Sequence, residues 1–106
     1  MSTWHIRYWT DKLDKNLFEE WLLNLDEKQA KIINKKLELL EIYGNQLKMP
    51  HSKALGKGLF ELREQIYYHR IYYGFHGKQI IIILIAGNKR SQEKDIKIAR
   101  KRLDEI

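Results

Sequence analysis

Seven consecutive apolar residues at 80–86, IIIILIA, constrain the fold of this chain more than any other feature. Alternate side chains of a strand point to opposite faces, so an unbroken apolar run needs cover on both. The run is far too short for a bilayer, which takes about 20 residues. It therefore predicts a central strand over 79–86, covered at least in part on both sides. Around it the 106 residues must supply a sheet and the layers that cover it.

The flanking patterns supply these. Trp4 to Trp9 alternates and is rich in β-formers, which predicts a first strand. Asp11 is placed to cap a helix whose buried residues are Leu13, Leu17, Trp21 and Leu25, with Phe18 and Leu22 beside them. Asp26 restarts the pattern with Gln29 in capping-box position. Ala30, Ile33, Leu37 and Leu40 then form a second stripe that ends at Gly44. Residues 44–58 read as a loop, residues 59–65 and 66–75 as strands, and His76-Gly77 as a two-residue turn. Ser91 caps a last helix with Ile96, Ala99, Leu103 and Ile106 inward and Lys94, Lys97, Arg100 and Lys101 outward. The order β-α-α-β-β-β-α predicts one α+β domain over residues 1–106, an antiparallel-rich sheet with its helices packed on one face.

The chain has no cysteine, so disulfides, thiolate metal sites and cysteine nucleophiles are excluded, a composition that suits the cytoplasm. No apolar N-terminal run has the character of a signal peptide, and no membrane association is expected. The formal charge of +6 is unevenly distributed. Residues 1–46 hold 7 Lys and Arg against 8 Asp and Glu, whereas residues 47–106 hold 13 against 6. A basic half beside a neutral one points to a surface directed at phosphates or at an acidic protein segment.

Candidate residues follow from alternation along the strands. With Phe60 and Leu62 in the core, Arg63 takes the open face. Arg70 is expected outward too, because an unpaired buried charge is very costly. That choice puts Tyr68 and Tyr72 on its face and lets Arg63 and Arg70 meet across neighbouring strands. Planar guanidinium forks among aromatic rings suit phosphate and stacked bases. The competing arrangement is a cross-strand ion pair from Glu61 or Glu64 to either arginine. The two are compatible, since a carboxylate can orient a catalytic arginine. An exposed Arg70 would be removable without loss of fold. Lys89 and Arg90, between the central strand and a helix N-terminus, place two cations beside free backbone N–H groups. Lys53 and Lys57 line the loop before the second strand, and Lys94 extends the basic surface along the last helix.

His5, His51, His69 and His76 lack metal-ligand spacing, and His69 points away from Arg70, in a structural position. No phosphate-cradling glycine pattern occurs. Any catalysis would therefore be acid–base chemistry run with Lys and Arg, without metal or cofactor. RNA cleavage by the neighbouring 2′-hydroxyl fits, because charge builds on the phosphate and on the departing 5′-oxygen.

The phrases WLLNL at 21–25, LKMPHSKALGKGLFELRE at 47–64 and RIYYGFHGKQIIIILIAGNKRSQEKDIKIARKRL at 70–103 carry a resemblance that covers nearly the whole chain. The chain resembles the RelE/ParE superfamily of toxins from type II toxin–antitoxin modules, in particular the HigB-like, phage-derived killer-protein subgroup. The resemblance implies mRNA cleavage, on the ribosome or free, and neutralisation by a cognate antitoxin, often a HigA-like helix-turn-helix protein. Operator DNA would be bound only through the antitoxin complex. It also implies that Arg70 stabilises the phosphate, that Arg63 is the arginine of the ELR phrase, and that Lys89 or Arg90 is the general acid. Leu59 and Glu61 stand where the RelE branch carries lysines, and about Ile96 where it carries a tyrosine. Those departures keep two alternatives open: a ParE-like toxin that poisons DNA gyrase without catalysis, and a decayed toxin that acts only with its antitoxin.

Overall fold

A computed structural model describes residues 3–106. The apolar run forms β5 (Ile80–Asn88), an interior strand of a five-stranded sheet ordered β1-β5-β4-β3-β2. Its neighbours are β1 (His5–Tyr8), which runs parallel to it, and β4 (His69–Phe75), which runs antiparallel. The antiparallel series continues through β3 (Leu59–Arg63) to β2 (Ser52–Gly56) at the far edge. The helices are α1 (Leu17–Leu23), α2 (Glu27–Tyr43) and α3 (Gln92–Asp104). The α+β class is as expected, with one strand more: β2 lies within the stretch read as a loop. Its three polar or small residues Ser52, Ala54 and Gly56 weaken the strand signal.

Cover comes from both sides. On one face Ile33, Leu37 and Leu40 of α2 pack with Leu62, Ile71, Tyr73, Ile81 and Ile83. On the other, Ala99 of α3 packs with Leu59, Tyr72 and Leu84. The expectation that all helices share one face is thus corrected: α3 lies opposite α2, as the two-sided apolar character of β5 demands. A bulge lets this work. Tyr72 pairs with Ile85 and Tyr73 with Ile83, which leaves Leu84 as the extra residue. Leu84 and Ile85 both serve the α3 side, Ala86 returns to the α2 side, and Gly87 faces α3. A Cβ at Gly87 would sit 2.0 Å from Asp95 Oδ2, so any side chain there would displace the Asp95 carboxylate and the Ser91 hydroxyl.

Several local expectations are corrected by the turns. Asp11 does not cap α1; its carboxylate accepts from the N–H groups of Leu13 and Lys15, both at 2.9 Å, and leaves Leu13 86% exposed. Asn16 caps α1 instead, accepting from Glu19 N–H at 3.0 Å. Asp26 caps α2 as read, accepting from Gln29 N–H at 2.8 Å. The β4–β5 turn takes residues 76–79, with Gly77 at φ 61° and Gln79 at φ 62°, rather than two residues. Ile106 is exposed beyond the end of α3. No described helix is long and apolar enough to cross a membrane.

The edge strand is tied to the core by a buried hydrogen bond, Ser52 Oγ to Tyr73 Oη at 2.5 Å. Burial pushes the Tyr73 phenol up, and the Ser52 hydroxyl opposes the shift. Tyr73→Phe leaves the serine unpartnered and is expected to cost about 1–3 kcal/mol. Urea unfolding of the two proteins measures it, and a midpoint equal to the parent's would contradict the assignment.

Candidate nucleic-acid interface

Arg63, Arg70 and Gly87 stand side by side on β3, β4 and β5, at the end of the sheet where α3 begins. At roughly 4.8 Å between strands, the three positions span about 10 Å. Alternation puts Glu61 on the same face as Arg63. This face is not open. The first turns of α3 cover it, and Arg70 is only 2% exposed, which corrects its expected outward, solvent-facing placement.

Burial of Arg70 is compensated by a built network. Glu61, wholly buried, places Oε1 at 3.3 Å from Arg63 Nε and 3.8 Å from Arg70 Nε, ion pairs without hydrogen-bond geometry. Its Oε2 accepts from Gln92 Nε2 at 2.7 Å. Arg70 Nη1 donates to the backbone carbonyls of His69 at 3.1 Å and Glu64 at 3.3 Å. The competing ion-pair arrangement is therefore present, with Glu61 as the shared partner. Arg63 keeps 23% of its side chain in solvent. Tyr72, expected to stack on RNA, is fully buried beside Glu61, and both burial and that carboxylate push its phenol well above its usual range. It has no face to offer a base.

Glu64 organises the next segment. Its buried carboxylate accepts from the N–H groups of Ile66, of Tyr67 at 2.9 Å and of His69 at 3.4 Å, folding residues 65–68 into a turn. The turn brings Tyr68 to φ 62° and leaves it 52% exposed, off the strand rather than on the face of Arg70. Lys89 N–H donates to the Tyr68 carbonyl at 3.0 Å, and Lys89 Nζ lies 5.7 Å from the centre of the Tyr68 ring. Asn88 Oδ1 accepts from the N–H groups of Arg90 at 2.8 Å and Ser91 at 3.1 Å. The expectation of free N–H groups here is corrected: all three amides are engaged. What remains is cationic side chains on a fixed turn.

These exposed groups adjoin one another. One hollow is lined by Tyr67, Tyr68, Asn88, Lys89 and Arg90. A second is lined by Arg90, Glu93, Lys94, Lys97 and Ile98, so Arg90 joins the two. Lys53, exposed on the edge strand, pairs in register with Glu61. Lys57 is not brought to the site. It forms the tip of the β2–β3 hairpin at φ 53°, beside Arg100, Leu103 and Asp104 at the other end of α3. Even the strand between them, Leu59 to Arg63, is roughly 13 Å long.

On the α2 side, His69 Nε2 lies 2.7 Å from Gln29 Oε1, in the structural position expected of it. Lys36 Nζ lies 3.0 Å from His51 Nδ1, and burial lowers the lysine pKa against the pull of Glu64. Among the described residues no group of three or more His, Asp or Glu side chains is placed to hold a metal ion. Two residues escaped the sequence reading. Gln92 sits one turn before Ile96 on the inward stripe, and Asp95, 6% exposed, receives a hydrogen bond from the Ser91 hydroxyl. The available signal was a polar residue at a core position of the stripe.

The architecture matches that of a known toxin. The free-state structure of a double-arginine mutant of Escherichia coli toxin RelE superposes with a TM-score of 0.64. That match covers 93% of this chain and 97% of the other at 11% identity. The isolated E. coli RelE toxin in another crystal form gives 0.56 at 12% identity, over 90% of this chain and 98% of that one. At such identity the likeness establishes the fold. An uncharacterized protein of Haemophilus influenzae is 34% identical over 85 residues, 78% of this chain and 82% of its own length. The chain belongs to the Gp49-like family of phage-derived proteins (DUF891), a RelE-like toxin family whose model matches residues 20–104.

Proposed function

We propose that the protein is the toxin of a type II toxin–antitoxin module and cleaves mRNA, inhibiting translation and growth until a cognate antitoxin neutralises it. The observation that carries this reading is the exposed rim of Tyr68, Lys89, Arg90 and Lys94, with the partly exposed Arg63 two strands away at the same end of the sheet. Tyr68 offers a ring for a base to stack on, and the cations face where the phosphodiester would lie. The fold of a RelE toxin supports it. Chemically, Arg63 would stabilise charge on the phosphate, and Lys89 or Arg90 would protonate the departing 5′-oxygen. The rate then depends on positioning, with the ribosome a natural scaffold for it. The antitoxin would be a HigA-like helix-turn-helix protein, with an acidic or amphipathic segment that covers the basic rim, and operator DNA would be reached through that complex.

A second reading, a gyrase poison of ParE type, is favoured by one observation. Leu59 and Glu61 are buried, so neither supplies the general base that RNA cleavage requires. Induction of the protein followed by mapping of transcript 5′ ends separates the two. New ends within coding sequences are expected; growth arrest with unaltered ends and inhibited supercoiling would transfer the assignment to gyrase.

A further inference from the structure

Three charged groups meet at the end of the sheet in unequal number: two guanidiniums and one carboxylate. Arg70 is shut in. It is 2% exposed, and Nη1 is spent on the carbonyls of Glu64 and His69. Glu61 is sealed from the other side by the Gln92 amide on Oε2. Arg63 is held by its Nε alone. Of its distal nitrogens, Nη1 lies 4.0 Å from Met49 Sδ, and neither has a carboxylate or carbonyl partner among the described residues. With Arg70 and Glu61 shut in, the positive charge that reaches solvent from the cluster is the outer end of Arg63.

We infer that Glu61 is a positioning residue: it fixes Arg63 through Nε so that the fork faces outward to meet a phosphate, while Arg70 serves as its buried counterion and does not touch RNA. The inference rests on the RNA-cleaving reading for its ligand. It gives to Arg63 the phosphate-stabilising role that the resemblance implies for Arg70. It also gives a use to Glu61 at a position where the RelE branch carries a lysine: a wholly buried carboxylate between two guanidiniums acts through them.

The test follows the side-chain Nε–H signals of the full chain by NMR, with Arg63 assigned by their loss in Arg63→Ala. Titration with a single-stranded 2′-O-methyl RNA, which cannot be cleaved, is expected to shift the Arg63 signal and leave that of Arg70 in place. In Glu61→Gln the Arg63 Nε–H signal should shift, since the ion pair that holds the side chain is lost, while Arg70 keeps its carbonyl partners. Arg63→Ala should lower the slope of log affinity against log salt by about 0.7, one phosphate contact. An Arg70 signal that moves with RNA as far as that of Arg63, or an Arg63 proton unaffected by Glu61→Gln, would overturn the inference. Freed Arg63 in Glu61→Gln with no response of the parent to RNA would leave the positioning role intact and refute the RNA reading instead.

Discussion

Arg70→Ala is expected to cost about 3–5 kcal/mol, because it empties a large buried side-chain site, removes the donor to the Glu64 and His69 carbonyls and takes from Glu61 one of its two cations. For a domain of about this size each kcal/mol moves the melting temperature by roughly 4–8 °C, so a fall of at least about 12 °C should appear in a thermal melt. The sequence suggested the opposite, an exposed cation removable at no structural cost. Its burial at 2% and its pairing to Glu61 reverse that expectation. Loss of toxicity in this variant would therefore say little about catalysis. A melt within about 2 °C of the parent would show that the cluster opens to water far more readily than its packing indicates, given the same scale.

The second large effect belongs to function. Lys89→Ala combined with Arg90→Ala is expected to slow RNA cleavage by about 10²–10³-fold, the range for removing a group that stabilises charge in a transition state. Stability should change by no more than about 0.5 kcal/mol, as for surface sites. Both side chains are exposed, and the turn beneath them is set by Asn88 and Ser91, not by the cations. Single-turnover cleavage of a defined RNA, with a melt of the same samples, measures both. An unchanged rate would remove the rim from the chemistry.

The two arginine predictions differ for a reason that also marks how far the sequence could be read. Periodicity located both helices of the hairpin and the last helix, because an amphipathic stripe is a local record of burial. It located β5 for the same reason. It could not see that α3 would land on the face opposite α2, since that depends on the path of the chain rather than on any stripe. Of the residues assigned to an open face, Arg70 and Tyr72 went inside and Tyr68 moved onto a turn, Arg63 stayed partly exposed, and the other exposed contacts collected on the turns at 65–68 and 88–91. Charge was a poor guide to burial here. The rule that Arg70 would avoid the interior assumed an unpaired charge, and Glu61, two residues before Arg63, was the pair. Lys89 and Arg90 were legible because a turn leaves its side chains outside, wherever the layers fall.

The isoleucine run carries a consequence for how the sheet finds its alignment. Four identical residues, Ile80 to Ile83, offer the neighbouring strands nothing by which to tell one pairing from the next. A slip by one position normally drives polar groups inward and is penalised at once, but within this tract it exchanges isoleucine for isoleucine. Alignment has to be written at the ends of the strand. Gly87 does so sterically, as the residue that fits beneath Asp95, and Asn88 does so by capping the turn that follows. The positions that tell β5 where to stop are thus those that carry Lys89 and Arg90 to the surface, so an error of one residue in the sheet would misplace both cations while leaving the hydrophobic layers nearly as well filled.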